Sequence, residues 1–170
     1  MIELVEKMEG EGEAVDTVTL PYDLRQKSRQ RVQLDSGREA AILLPPSSSL
    51  REGDLLRASD GACIRVRAAE ENVSTVRSDD PLRLARACYH LGNRHVSLQV
   101  SSGRLRYQPD HVLDEMVRGL GLSVVRESAE FEPERGAYHG HSHSSGHSHD
   151  AHSHDSHELP TRGATGEGQP

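Results

Sequence analysis

Eight histidines, His139, His141, His143, His147, His149, His152, His154 and His157, fall within nineteen residues of the stretch GAYHGHSHSSGHSHDAHSHDSHE. Neutral imidazole is a borderline ligand suited to divalent nickel, copper, zinc and cobalt. In an extended chain positions i and i+2 lie on the same side, so each H-x-H pair can close on one ion. Ser and Gly between the pairs leave the backbone free to wrap, and Asp150, Asp155 and Glu158 add oxygen donors. The tract is interrupted and thirteen residues follow it, unlike a contiguous terminal tag. Composition therefore predicts metal binding. It does not predict which metal: a loose imidazole tract imposes little geometry, and its affinities should follow the Irving–Williams order, with Cu(II) above Ni(II).

Three histidines lie outside the tract. His90 and His111 read by default as surface residues, one near a helix C-terminus and one in the first turn of a second helix; His111 is kept as a candidate ligand. His95 starts the apolar-alternating run HVSLQV. If that run is a strand with Val96, Leu98 and Val100 packed on helices, then His95, Ser97 and Gln99 occupy the open face. One histidine there makes no site, but two copies across a two-fold axis could place it against its own mate.

Catalysis is not indicated. A catalytic zinc site wants three protein ligands and an open position. The chain outside the tract has three histidines, no H-E-x-x-H, and two cysteines, Cys63 and Cys88, that form no C-x-x-C pair. No nucleophile motif is visible, and the cysteines read as small buried hydrophobes.

The elements that must position these residues fall into two groups. Residues 14–70 read as strands: AVDTVTL, then RVQLDSGREAAILL around the turn Asp35-Ser36-Gly37, then LLRASDGACIRVRAA around Ser59-Asp60-Gly61. This predicts an all-β unit of hairpins. The second group is a strand (ENVSTVRS), a helix (DDPLRLARACYHLGN), two strands (HVSLQV, RLRYQ), a helix (DHVLDEMVRGLG) and a strand (LSVVRESAEF). Asp80 and Asp110 suit N-caps, Pro81 suits the first helical position, and Gly92 and Gly121 suit the helix ends. The order βαββαβ is that of a ferredoxin-like domain. The expected fold is α+β: an N-terminal β domain over 1–72, a ferredoxin-like domain over 73–138, and a His-rich tail over 139–170 too poor in apolar residues to order itself.

The 34% hydrophobic and 3% aromatic content, with no Trp, leaves a core of Val, Leu, Ile and Ala. The formal charge is −7, and acidic and basic residues are interspersed with no basic run, which disfavours a nucleic-acid partner. No apolar stretch approaches 18 residues and the N-terminus lacks a basic segment followed by an apolar one. A soluble cytoplasmic protein, neither exported nor bound to a membrane, is expected.

The segments YHLGNRHVSLQV, DHVLDEM and FEPERGAYHGH closely resemble the UreE family of urease accessory proteins. TLPYDLRQKSRQRVQL, LREGDLLRASDG and IRVRAAEE resemble the N-terminal half of the same family, so the likeness runs from about residue 18 to the tail. The resemblance implies a nickel metallochaperone with a peptide-binding-like N-terminal domain. It implies a homodimer in which His95 meets its mate and holds one ion, with His139 and His141 as tail ligands. It implies delivery of Ni(II) to a GTPase partner within a urease pre-activation complex, with Zn(II) or Cu(II) competing in vitro. Some relatives carry two histidines around the D-H-V-L segment as a peripheral site; here only His111 is present, with Pro109 where a second could sit, which argues against that site. Ser97 stands where a proline is common. The rival reading is a general zinc- or nickel-buffering protein, which the tail would serve equally well but which needs no ligand on a dimer axis.

Overall fold

The computed structural model describes residues 1–10 and 12–135. The tail histidines 139–157 lie outside the described residues.

The first sheet has six strands: β1 (Ile2–Met8), β2 (Asp16–Leu20), β3 (Arg29–Gln33), β4 (Glu39–Leu43), β5 (Leu55–Ala58) and β6 (Cys63–Ala68). Their order is β2-β6-β5-β1-β4-β3. Both expected hairpins form, β3 on β4 and β5 on β6, each antiparallel. Gly37 and Gly61 have φ of +88° and +89°, values that a Cβ would make costly, so each turn uses its glycine. Alternation works as expected in β6, where Ile64 and Val66 are buried while Arg65 and Arg67 face outward.

The unit is not made of hairpins alone. β1 pairs in parallel with β4, and β2 pairs in parallel with β6. β1 occupies the middle of the sheet although its run IELVEKM is half charged; only Leu4 in it is fully buried. A helical turn, α1 (Tyr22–Arg25), follows Pro21. The core beneath is aliphatic, with Leu4, Val18, Leu34, Ile42, Leu44, Leu50, Leu56, Ile64 and Val66 among its buried members.

The second sheet holds β7 (Glu70–Arg77), β8 (Gln99–Ser101), β9 (Arg104–Tyr107) and β10 (Val124–Glu130), with helices α2 (Pro81–Gly92) and α3 (His111–Gly119). Its order, β10-β7-β9-β8, is all antiparallel. That is the ferredoxin-like arrangement expected from the βαββαβ succession. Both N-caps form: the Asp80 carboxylate accepts from the Leu82 and Arg83 N–H groups, and that of Asp110 from Val112 and Leu113. Val76, Leu105, Tyr107 and Val124 from the sheet pack against Leu84, Ala87, Leu91, Leu113 and Val117 from the helices.

One carboxylate is buried in this second core among the described residues. Asp114 on α3 is 1% exposed and accepts hydrogen bonds from Ser74 Oγ at 2.8 Å and Tyr107 Oη at 2.9 Å, and two from Arg126 at 3.0 and 3.1 Å. Desolvation pulls its carboxyl up, but these bonds outweigh it and hold the group below the ordinary carboxylate range. Desolvation, with the bond to Asp114, pushes the Tyr107 phenol up instead.

Candidate metal centre

The expected strand from His95 does not form as far back as His95. β8 spans only Gln99–Ser101, and His95 lies in the turn that closes α2. Val96 and Leu98 do pack into the core as the alternation suggested, whereas Val100 is 46% exposed on the edge strand. Gly92 is the last helical residue, as the sequence suggests, but it does not take the left-handed conformation; the chain continues through Asn93 and Arg94 before it does.

The left-handed residue of this helix end is His95, with φ +57°. Its N–H donates to Gly92 O at 2.9 Å, and that of Val96 donates to Leu91 O at 3.3 Å. These two bonds make a Schellman closure with His95 in the position that usually holds glycine. Val96 then packs against the core cluster that holds Leu91, where such closures usually make their apolar contact. A Cβ in this conformation costs about 1 kcal/mol. The imidazole is exposed.

Glu134 N–H donates to Leu98 O at 2.7 Å, and Glu132 N–H to the Gln99 side-chain oxygen at 3.3 Å, so the segment after β10 runs beside residues 98–99. Arg25, fully buried, anchors that segment from α1. Its guanidinium donates to Leu20 O, Phe131 O and the Glu132 carboxylate, the last at 2.5 Å. Arg51 donates to Pro133 O at 3.0 Å and pairs with Glu132 at 3.1 Å. Phe131, fully buried, meets the Tyr22 ring edge-on at 5.3 Å, and Tyr22 Oη lies 3.2 Å from Ser97 Oγ. The N-terminal unit thus grips both the residues that follow His95 and the segment that leads towards His139.

His111, the first residue of α3, is exposed, and His90, partly buried, stacks edge-on against Tyr89 at 5.3 Å. Among the described residues no three His, Cys, Asp or Glu side chains come close enough together to hold an ion. Cys63 and Cys88 are half-buried and free of disulfides, and burial pushes the Cys88 thiol up, away from the thiolate a metal needs.

Sequence reading missed the surface beside His95. Leu82, Ala85, Tyr89 and Gly92 recur at i, i+3, i+7 and i+10 along α2 and are all exposed; Leu82 is 58% and Tyr89 65% accessible. An apolar stripe of small and large residues therefore runs down the helix towards the turn that holds His95.

Residues 2–69 match the family profile described as the UreE urease accessory protein N-terminal domain, and residues 71–158 match that of the C-terminal domain. The chain belongs to the UreE family of urease accessory proteins. It is 58% identical over 140 residues to the urease accessory protein UreE of Alkalilimnicola ehrlichii, covering 82% of this chain and 86% of the relative. It is 56% identical over 145 residues to UreE of Pseudomonas putida strain W619, covering 85% and 90%. With UreE of Escherichia coli O157:H7 the identity is 50% over 154 residues, covering 88% of this chain and the whole relative. A UreE chain has an accessory role in urease maturation rather than urease's own catalysis. No helix among the described residues is long and apolar enough to cross a membrane.

Proposed function

We propose that this chain is a cytoplasmic nickel metallochaperone that acts as a homodimer. The observation that carries the reading is the exposed imidazole of His95, held in a left-handed turn at the foot of an exposed apolar stripe. The stripe favours self-association. A two-fold axis near its end would set His95 against its mate, and two imidazoles from two chains would share one Ni(II). Such a pair leaves coordination positions open, which suits an ion that must be passed on rather than kept.

The tail supplies the store. His139 and His141 are five and seven residues along the chain from Glu134, itself anchored at Leu98. We assign them as additional ligands to the shared ion, and His143, His147, His149, His152, His154 and His157 as carriers of further ions. His111 is a secondary candidate. The recipient is the urease accessory GTPase within the urease pre-activation complex. Zn(II) and Cu(II) compete for the same imidazoles in vitro. Imidazole must be neutral to coordinate and its ordinary pKa is about 6.5, so nickel affinity should fall between about pH 7 and pH 5.

Nickel transfer tests the reading against passive buffering. Nickel-loaded protein, the accessory GTPase, GTP and apo-urease are combined under a chelator that removes free metal. Protein lacking residues 139–170 should still raise urease activity, whereas the full chain with His95→Gly should not. Equal activation by the His95→Gly chain would make the buffering reading the better one.

A further inference from the structure

The face of the second sheet that turns away from α2 and α3 carries an unbalanced charge arrangement. Val76, Leu105 and Val124 face the helices, so Thr75, Arg77, Arg104, Arg106, Val125 and Glu127 occupy the opposite face. Arg77 on β7 is paired in register with Arg104 on β9, which sets two guanidinium side chains directly across from each other. Like charges opposed in this way destabilise a sheet. Glu127 is already engaged: it accepts from Thr75 Oγ1 at 2.8 Å, Arg77 at 3.1 Å and Arg106 at 3.2 Å. Arg106 is further satisfied by Thr75 Oγ1 and Glu130 O. Arg104 is not. Its one side-chain hydrogen bond is a 3.4 Å contact from Nη2 to Ser101 Oγ, and it has no carboxylate within ion-pair distance among the described residues. Among the described residues its Nε is buried without a partner, which is rare because a buried donor ordinarily finds an acceptor.

We propose that Arg77 and Arg104 form a clamp for a carboxylate presented by an acidic segment of a protein partner. A carboxylate between the two guanidiniums would cancel the in-register repulsion and give Arg104 the anionic partner it lacks among the described residues; guanidinium forks match carboxylates bidentately. The surroundings favour a protein as the source. Val125, 52% exposed on the same face, gives the patch the mixed apolar and arginine-rich character of protein interfaces. A nucleic-acid backbone would instead need a longer cationic track, and this chain carries −7 overall with an acid, Glu127, inside the patch. The positive face on an acidic chain also orients an acidic partner during approach.

The test uses the full chain at about pH 8 in EDTA, which strips metal from the chain. A fluorescent hexaglutamate peptide is titrated by anisotropy at low and at high salt. Saturable, salt-sensitive binding is expected, weakened about tenfold by Arg104→Gln and by Arg77→Gln, and unchanged by Arg86→Gln, which alters an exposed arginine of α2. The melting temperature of Arg104→Gln without peptide gives an independent reading. Relief of the opposed charges should keep it level with the parent or raise it at low salt, so weakened binding would not reflect unfolding. Absence of saturable binding to the parent chain would overturn the proposal. Equal loss in Arg86→Gln would overturn it too, as would inorganic phosphate binding as tightly as the peptide.

Discussion

Helices α2 and α3 end in the same way, with different residues. In α3, Gly121 at φ +79° donates to Arg118 O, and Leu122 donates to Val117 O and is buried. In α2, His95 at φ +57° and Val96 make the same two bonds. Glycine adopts this conformation without strain and histidine does not. The backbone requirement is identical, so the histidine at the first end answers to something other than backbone geometry. The two helices differ along their length too. α3 turns Asp114 into a buried hydrogen-bond hub, whereas α2 has no buried polar anchor and leaves Leu82 and Tyr89 exposed. Both helices pack on the sheet, but only α3 adds a buried carboxylate hub to that packing.

Changing the outward surfaces should separate the helices most sharply. Tyr89→Asp places a charge in the α2 stripe and should weaken self-association about a hundredfold or more, the scale of a lost interface anchor. Val112→Asp, at a residue of α3 with similar exposure, should leave it unchanged. Sedimentation velocity across a concentration series measures both. Equal effects would mean that the α2 stripe is not the contact.

Next comes the Asp114 hub. Asp114→Asn loses the ion pair with Arg126 and mismatches at least one hydroxyl donor, and should cost roughly 2–4 kcal/mol in urea unfolding. The pH dependence has a definite sign. The folded carboxyl lies below its ordinary value of about 3.9, so its stabilisation is present above about pH 4 and disappears as pH falls through the lower folded value. The parent chain should lose stability on that descent, and Asp114→Asn should flatten this part of the profile.

The closures themselves give smaller effects of opposite sign. Gly121→Ala should cost about 1 kcal/mol from backbone strain; the added Cβ would lie 3.5 Å from Arg83 Nη1, an ordinary contact. His95→Gly should gain about 0.5 kcal/mol by relieving that strain, net of the greater freedom of glycine in the unfolded chain. Thermal unfolding of both variants checks the pair. A destabilised His95→Gly chain would show that the imidazole holds the fold together, contrary to its exposure.

Local chemistry made much of this architecture legible. Asp80, Pro81 and Asp110 announce helix starts because side-chain caps act within one turn, and Gly37 and Gly61 announce hairpins for the same short-range reason. β1 was not legible: its half-charged run shows a strand's place only once β4 and β5 flank it. The parallel pairings of β1 with β4 and β2 with β6 depend on long-range register, which alternation does not encode. His95 was recognised but misplaced, because Val96 and Leu98 satisfy a strand pattern and a Schellman turn equally well. The buried grip of Arg25 on Glu132 was invisible, since an arginine 107 residues away in sequence gives no local sign of its partner.

Nickel stoichiometry in protein lacking residues 139–170 tests the central claim most directly. Isothermal titration should give one ion per two chains, and His95→Gly in the same background should abolish that binding while the melting temperature holds or rises. Retention of one nickel per two chains with undiminished affinity in the His95→Gly protein would contradict the account.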